Sequence, residues 1–202
     1  LGLSDVLVSD YDKMDDDEVL ELITEIRKST NKTYNLLENL LNWARSQMGQ
    51  ITIFNERLSL YNLIRESIEP VEANAINKNI KLEIDVERKA IIRTDHFILK
   101  TVVRNLVSNA IKFTPRGGTV HIATKRSKDG IEIHVKDTGI GMDNYMLEQL
   151  FKLDKNSSRI GTEKESGTGL GLILCHEFIE KLGGIIKVES EVNKGSSFII
   201  KL

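Results

Sequence analysis

The sequence predicts an α+β protein. It is a two-layer α/β sandwich, with helices over one face of a mostly antiparallel mixed sheet, preceded by an α-helical hairpin of bundle type. Three observations carry this. Apolar residues follow a heptad seam across residues 16–48, strand-period and helix-period stretches mix from residue 51 onward, and all but two of the 14 glycines lie at or beyond Gly117. The 202 residues are 40% apolar and 29% charged, which supports a real core and excludes wholesale disorder. One cysteine, Cys175, excludes a disulfide scaffold and a cysteine-built zinc site. No run of 18 apolar residues occurs, so no segment is expected to span a membrane. A net charge of −2 gives no nucleic-acid footprint. The charge is uneven: residues 1–50 hold ten acidic and five basic residues, and the remainder twenty and twenty-three. Two domains are therefore expected, 1–49 and 50–202.

In the first, Leu1–Val8 is expected to end one helix and Ser9–Met14 to form a turn. A long helix should follow, because Val19, Ile23, Ile26, Thr30, Thr33, Leu37, Leu40 and Ala44 recur at alternating steps of four and three. Leu36, Leu41, Trp43 and Met48 widen the stripe, as in a bundle helix. Asp15–Glu18 place negative charge in its first turn, and Gly49 suits its C-cap. A pair this short cannot bury a stripe this wide, so self-association is expected.

The second domain should open with a strand at Ile51–Phe54 and a helix at Ser59–Asn77, capped by Ser59 and kinked or broken at Pro70. Ile80, Leu82, Ile84 and Val86 alternate as a strand, and Ala90–Thr94 forms another. Asp95 caps a helix to Lys112, with Phe97, Leu99, Val102, Val103, Leu106, Ala110 and Ile111 on its apolar side. Pro115–Gly118 is a turn. Thr119–Lys125 and Ile131–Lys136 alternate as an antiparallel pair joined through Lys128-Asp129-Gly130. Gly169–Leu182 is a helix ended by Gly183-Gly184, and Ile185–Glu189 and Ser197–Leu202 are the closing strands.

Three glycine clusters stand out: Asp137-Thr138-Gly139-Ile140-Gly141 after a strand, Gly167-Thr168-Gly169-Leu170-Gly171-Leu172 before a helix, and Gly195-Ser196-Ser197-Phe198 opening the last strand. Each alone could be a turn. The second is the strongest signal, because a glycine loop feeding a helix N-terminus aims free N–H groups and a positive dipole end at one spot, which suits an anion. No parallel βαβ unit surrounds it and no Gly-Lys-Ser/Thr ends it, which excludes the dinucleotide fingerprint and the P-loop. Asn105, Asn109 and Lys112 share one helix face at i, i+4 and i+7. Amide oxygens suit a magnesium ion that keeps water and phosphate ligands, and a lysine suits phosphate; the bland alternative is a solvated face. His96, His121, His134 and His176 are not spaced as a metal site and read as structural, and Cys175 reads as a buried small hydrophobe.

The order N-x-x-x-N-A-x-K-F-T, D-x-G-x-G, G-T-G-L-G-L and G-x-x-F resembles the ATP-binding catalytic domain of sensor histidine kinases, within the Bergerat-type ATPases that include gyrase and the MutL mismatch-repair protein. The likeness spans about residues 51–202. Residues 1–48 resemble the dimerisation and phosphotransfer hairpin of the same kinases, with Leu36–Gly49 as its second helix. The resemblance implies ATP and magnesium as cofactors. It makes Asn109 the metal-binding asparagine, with Asn105 on the triphosphate side, and Lys112 the residue that reaches the phosphates. Asp137 would read the adenine amino group, since a carboxylate only accepts. Gly139 and Gly141 would let the backbone approach the purine. Gly167, Thr168, Gly169, Leu170 and Gly171 match the phosphate loop. Residues 152–166 match the ATP lid, in which Lys155, Arg159 and Lys164 are candidates for the γ-phosphate.

The sequence departs from the family pattern at two places. Phe151 is present ahead of the lid, but its expected phenylalanine partner is Asp154. The phosphate-accepting histidine is expected upstream of Leu1, so this chain alone should bind ATP without phosphorylating itself. The implied partners are a second copy, through the hairpin, and a response-regulator receiver domain, with no nucleic acid and no membrane contact by these residues. The implied location is the cytoplasmic part of a membrane-attached sensor. Two other functions stay open. An ATP hydrolase of the same superfold would carry a glutamate base where this chain has Asn105, and a nucleotide-dependent dimerisation module would bind ATP without transfer.

Overall fold

The computed structural model describes residues 2–48, 52–127, 130–152, 161–163, 165 and 169–202. The chain divides into two units, Leu1–Arg45 and Ser46–Leu202.

The first unit holds α1 (Leu3–Asp10), a 3-10 turn (Tyr11–Lys13) and α2 (Asp16–Gln47). Local chemistry starts α2 where the acidic cluster predicts. The Glu18 N–H donates to Asp15 Oδ1 at 2.9 Å and the Asp15 N–H donates to Glu18 Oε2 at 3.1 Å, a reciprocal capping box. Of the heptad seam, Ile23, Leu37 and Leu40 are exposed. Gly49, the expected C-cap, lies outside the described residues.

The second unit runs β1 (Asn55–Ser59), α3 (Leu60–Asn77), β2 (Lys81–Asp85), β3 (Ile91–Asp95), α4 (His96–Phe113), β4 (Thr119–Ser127), β5 (Gly130–Asp137), α5 (Asn144–Gln149), α6 (Gly171–Lys181), β6 (Ile185–Glu191) and β7 (Gly195–Lys201). Five strands form one sheet in the order β2-β4-β5-β7-β6, with β2 parallel to β4 and the other pairs antiparallel. β1 and β3 make a separate antiparallel ribbon. The period-two pattern sets the faces. Cross-strand partners Ile122 and Val135, Val135 and Phe198, and Ile133 and Ile200 fall on one side, and all are buried. That side packs under α4, whose Leu99, Val102, Val103, Leu106 and Val107 are fully buried, flanked by α3 and α6. The other face is polar. There Glu132 pairs with Lys201 at 2.5 Å and His134 at 3.0 Å, and these partners, Lys201 first, hold its carboxyl below the ordinary value.

Several expectations change. Residues 52–54 are not strand; β1 begins at Asn55 because its pairing with β3, Asn55 opposite Asp95 and Ser59 opposite Ile91, sets the register. Asn-Glu-Arg-Leu-Ser has little strand propensity of its own, so the partner makes the strand. α3 does not break at Pro70. That residue is on the exposed side, while Ile68, Val71 and Ala75 are buried around it. Packing offsets a proline cost of about 3 kcal/mol, and water can serve the carbonyl left without a donor. Phe97 is 57% exposed rather than in the core, and α4 instead begins its buried face at Ile98. α6 starts at Gly171, not Gly169, because Gly169 is left-handed (φ +73°) and Leu170 is the N-cap. α5 is an element that periodicity missed. Lys128 and Asp129 of the expected hairpin loop lie outside the described residues. Both predicted caps are present: Ser59 accepts from the Asn62 N–H and Asp95 from the Ile98 N–H.

Phe178 of α6 is 1% exposed in this core. Phe178→Ala is expected to destabilise the domain by about 3–5 kcal/mol, read from chemical denaturation midpoints.

Candidate functional site

β5 ends at Asp137, and the D-x-G-x-G segment then runs between the end of α4 and the β6–β7 turn. The Ile140 N–H donates to Phe113 O at 3.1 Å, the Asn193 N–H to Ile140 O at 2.8 Å, and the Met142 N–H to Ser190 Oγ at 2.9 Å. A Cβ at Gly139 would lie 2.6 Å from Phe113 O, and one at Gly141 (φ +62°) would collide with Glu191 O. The close approach that these glycines permit is thus of the chain to itself; Gly141 also lines the pocket described next.

That pocket is a cavity of about 240 Å³. Asp137 lines it from the end of β5, Asn109 and Phe113 come from α4, Met142, Tyr145 and Met146 from the loop and α5, Leu172 from α6, and Ser196 and Phe198 from β7. An apolar cleft with a few placed polar groups is the common form of a small-molecule site. Asp137 is 3% exposed, and its Oδ1 accepts from the N–H groups of Gly139 (2.8 Å) and Ser196 (3.2 Å). Burial pushes its carboxyl above the ordinary 3.8, and the two backbone donors oppose that shift. Both of these bonds are made by Oδ1.

The direction of this shift gives a pH dependence. A ligand amine needs the ionised carboxylate, so affinity is lost as pH falls through the raised pKa, at a higher pH than an ordinary aspartate would give. The sign for stability is opposite. A carboxyl whose pKa rises on folding contributes stability below its unfolded value, and that contribution disappears as pH rises through the folded one. On the role that the resemblance implies for Asp137, adenosine affinity measured against pH is expected to fall on the acid side in the native chain and to be flat in Asp137→Asn.

The three α4 residues that share a face separate in role. Asn109 lines the pocket. Asn105 lies beside the start of α6: a Cβ on Gly171 would come 3.5 Å from its Oδ1, and its Nδ2 is buried with no hydrogen-bond partner among the described residues. Its amide also acts on Cys175, a fully buried thiol that burial pushes up to about 12. The Lys112 ammonium lies 4.8 Å from the centre of the Phe113 ring, where burial lowers its pKa and the Glu165 charge opposes that. Gly169 and Leu170 lead into α6, whose first residue is Gly171. Asp154, Lys155, Arg159, Lys164, Gly167 and Thr168 lie outside the described residues. Phe151 does not need its expected partner to pack, since its ring meets that of His176 with centroids 4.9 Å apart.

Sequence reasoning missed the pocket wall of Met142, Tyr145, Met146 and Leu172. The available signal was Asp143, whose side chain accepts from the Met146 N–H at 2.8 Å and caps α5. Three of the four histidines pair with a glutamate, His96 with Glu66, His134 with Glu132 and His176 with Glu180. Among the described residues no group of His, Cys, Asp and Glu could hold a metal, and no helix is long and apolar enough to cross a membrane.

A buried carboxylate in an apolar cleft, beside an asparagine helix and a glycine-led helix start, is the arrangement of a purine-nucleotide ATPase domain. Residues 94–202 match the histidine kinase-, DNA gyrase B- and HSP90-like ATPase family model, and the chain belongs to that family. Within it, the chain is the catalytic ATP-binding domain of a two-component sensor histidine kinase. It is 31% identical over 183 residues to the circadian input-output histidine kinase CikA of Synechococcus elongatus, covering 89% of this chain and 24% of that protein. The structure of full-length ShkA in complex with AMPPNP aligns with TM-score 0.75 and 25% identity, covering 91% of this chain and 38% of that one. The structure of histidine kinase ThkA in complex with response regulator protein TrrA shares the fold, with TM-score 0.72 and 22% identity over 99% of this chain and 56% of that one. The chain spans from 9% to 32% of the length of the curated relatives it matches.

Proposed function

We propose that the chain binds Mg-ATP in the Asp137 pocket and presents the γ-phosphoryl group to a histidine, from which it passes to a response-regulator aspartate. The observation that carries this is Asp137 itself, buried in the lining of the cleft with its Oδ1 held by two backbone donors. Such a carboxylate suits the adenine amino group. Apolar side chains of α5 and β7 would take the purine faces, and the N-terminus of α6 would face the phosphates. ShkA, a relative in fold and sequence, is held in complex with AMPPNP.

Magnesium fits this site only together with the nucleotide. Asn109, which lines the pocket, would supply an amide oxygen, and magnesium typically completes such sites with water and phosphate oxygens. When bound, the ion would neutralise charge on the transferring phosphoryl group. The chain's own residues would orient ATP so that the bond from the γ-phosphorus to its bridging oxygen breaks, a bond to an imidazole nitrogen forms, and ADP leaves.

Residues 1–49 are read as part of a dimerisation hairpin and 50–202 as the catalytic domain. The exposed seam residues Ile23, Leu37 and Leu40 suit pairing with a second copy. A receiver domain is the proposed downstream partner, as ThkA has TrrA. The whole protein is proposed to be a membrane-attached sensor with this part in the cytoplasm.

The test is transfer in trans. The chain is incubated with γ-labelled Mg-ATP and a histidine-bearing hairpin from a related kinase. Label on that histidine, as an acid-labile adduct, is expected. Release of free phosphate at the same rate with and without the hairpin, and no labelled histidine, would overturn the reading in favour of a hydrolase.

A further inference from the structure

Lys78 follows α3 as its C-cap residue, and its side chain is only 5% exposed. A lysine this buried requires partners for its ammonium. Nζ lies 2.9 Å from Ile111 O, 3.1 Å from Lys112 O, 2.7 Å from Thr162 Oγ1 and 2.9 Å from Glu165 Oε1. The two carbonyls belong to the last turn of α4, where backbone acceptors lack helical donors and the dipole end is negative. A cation there satisfies orphan carbonyls, and through Thr162 and Glu165 it holds a segment far away in sequence.

Residues 161–163 and 165 are tied to one another and to α4. The Gly161 N–H donates to Glu165 O at 2.8 Å and the Glu163 N–H to Glu165 Oε2 at 2.7 Å. The Thr162 N–H donates to Lys112 O at 3.1 Å, and Arg116 pairs with Glu163 at 2.9 Å. Thr162 Oγ1 accepts from Lys78 and has Lys112 O (3.2 Å) and Thr114 O (3.1 Å) as acceptors for its one proton. Burial pushes the Glu165 carboxyl up, but the bond from Lys78 and the backbone donors outweigh it and hold the group below its ordinary value. These residues are thus stapled to the carboxyl end of the helix that carries Asn109, and Glu165 is four residues before Gly169 opens the way into α6.

We propose that Lys78 is a positioning residue for the phosphate half of the nucleotide: by clasping Thr162 and Glu165 to the end of α4, it fixes the distance between the asparagine helix and the glycine-led start of α6. This rests on the nucleotide reading above. The clasp does not touch the Asp137 pocket, so the two halves of the ligand should respond differently to its loss. Free of the clasp, Thr162 and Glu165 must be ordered when triphosphate binds, and that ordering weakens affinity.

The experiment measures adenosine and Mg-ATP affinities by chemical-shift titration of the full chain, in the native form and in Lys78→Met, Glu165→Gln and Lys78→Arg. Lys78→Met is expected to weaken Mg-ATP about tenfold and adenosine by less than about twofold, with Glu165→Gln in the same direction and Lys78→Arg partly restored. Amide hydrogen exchange at 161–165 should quicken in step. Should Lys78→Met fail to fold, Glu165→Gln carries the test, since its carboxyl is a third exposed. Equal loss of both ligands, or no change in their ratio in either variant, overturns the clasp. A native chain that binds neither ligand overturns the nucleotide reading itself.

Discussion

Asp137→Asn is expected to lower Mg-ATP affinity by about 10- to 100-fold, the worth of about 1.5–3 kcal/mol for a hydrogen bond to a charged group. The change keeps the shape of the side chain. An amide oxygen can still accept from the Gly139 and Ser196 N–H groups, as Asp137 Oδ1 does now. The other end then presents an NH₂ where a carboxylate oxygen stood, and two donors face each other across the ligand bond. The fold should not suffer. Burial raises the Asp137 pKa, which means the ionised form carries a desolvation cost that a neutral amide does not. Thermal denaturation at neutral pH should therefore give a midpoint equal to or above that of the native chain. Binding lost with stability kept separates a ligand-reading carboxylate from a structural one; a lowered midpoint with affinity intact would reverse the assignment.

Asn109→Ala is the complementary case. It removes the amide from the pocket wall without touching Asp137. On the proposed role, phosphoryl transfer to the added hairpin should fall by about 10²- to 10³-fold, the range seen when one preorganised polar group at developing charge is deleted. Adenosine affinity should change by less than about twofold, because the purine end is unaltered. Transfer that keeps its full rate and magnesium dependence in Asn109→Ala would remove this residue from the phosphate site. Asn105→Ala is expected to behave differently. Its Oδ1 lies beside Gly171 and its amide acts on the Cys175 thiol, so the change leaves a gap at the seam between α4 and α6 and is expected to lower the denaturation midpoint.

What the sequence revealed depended on how local the cause was. α2, α3 and α4 follow from periodicity and from caps such as Ser59 and Asp95, whose hydrogen bonds reach only three residues along the chain. The glycine motifs were legible because backbone constraints leave a residue-type signature. β1 was misplaced because Asn55–Ser59 becomes a strand through β3, whose partner residues lie far along the chain, Asp95 opposite Asn55 and Ile91 opposite Ser59, and nothing in its own composition says so. Of the kink or break expected at Pro70, the break does not occur, since the burial that keeps α3 whole comes from other elements. Asp137 and Asn109, which the sequence singles out, line one cleft, but the wall of Tyr145 and Met146 was not legible, because α5 is one short helix with no apolar period. Lys78 is the clearest omission. A lysine after a helix reads as a solvated end, and only the folded chain brings the α4 carbonyls, Thr162 and Glu165 around it.

The most direct test of the whole account is a structure of the chain bound to a non-hydrolysable ATP analogue with magnesium. The account predicts the adenine amino group about 3 Å from the Asp137 carboxylate, the purine between α5 and Phe198, and the phosphates at the start of α6 within reach of Asn109. A nucleotide seated elsewhere, or one turned so that its phosphates approach Asp137, would contradict it.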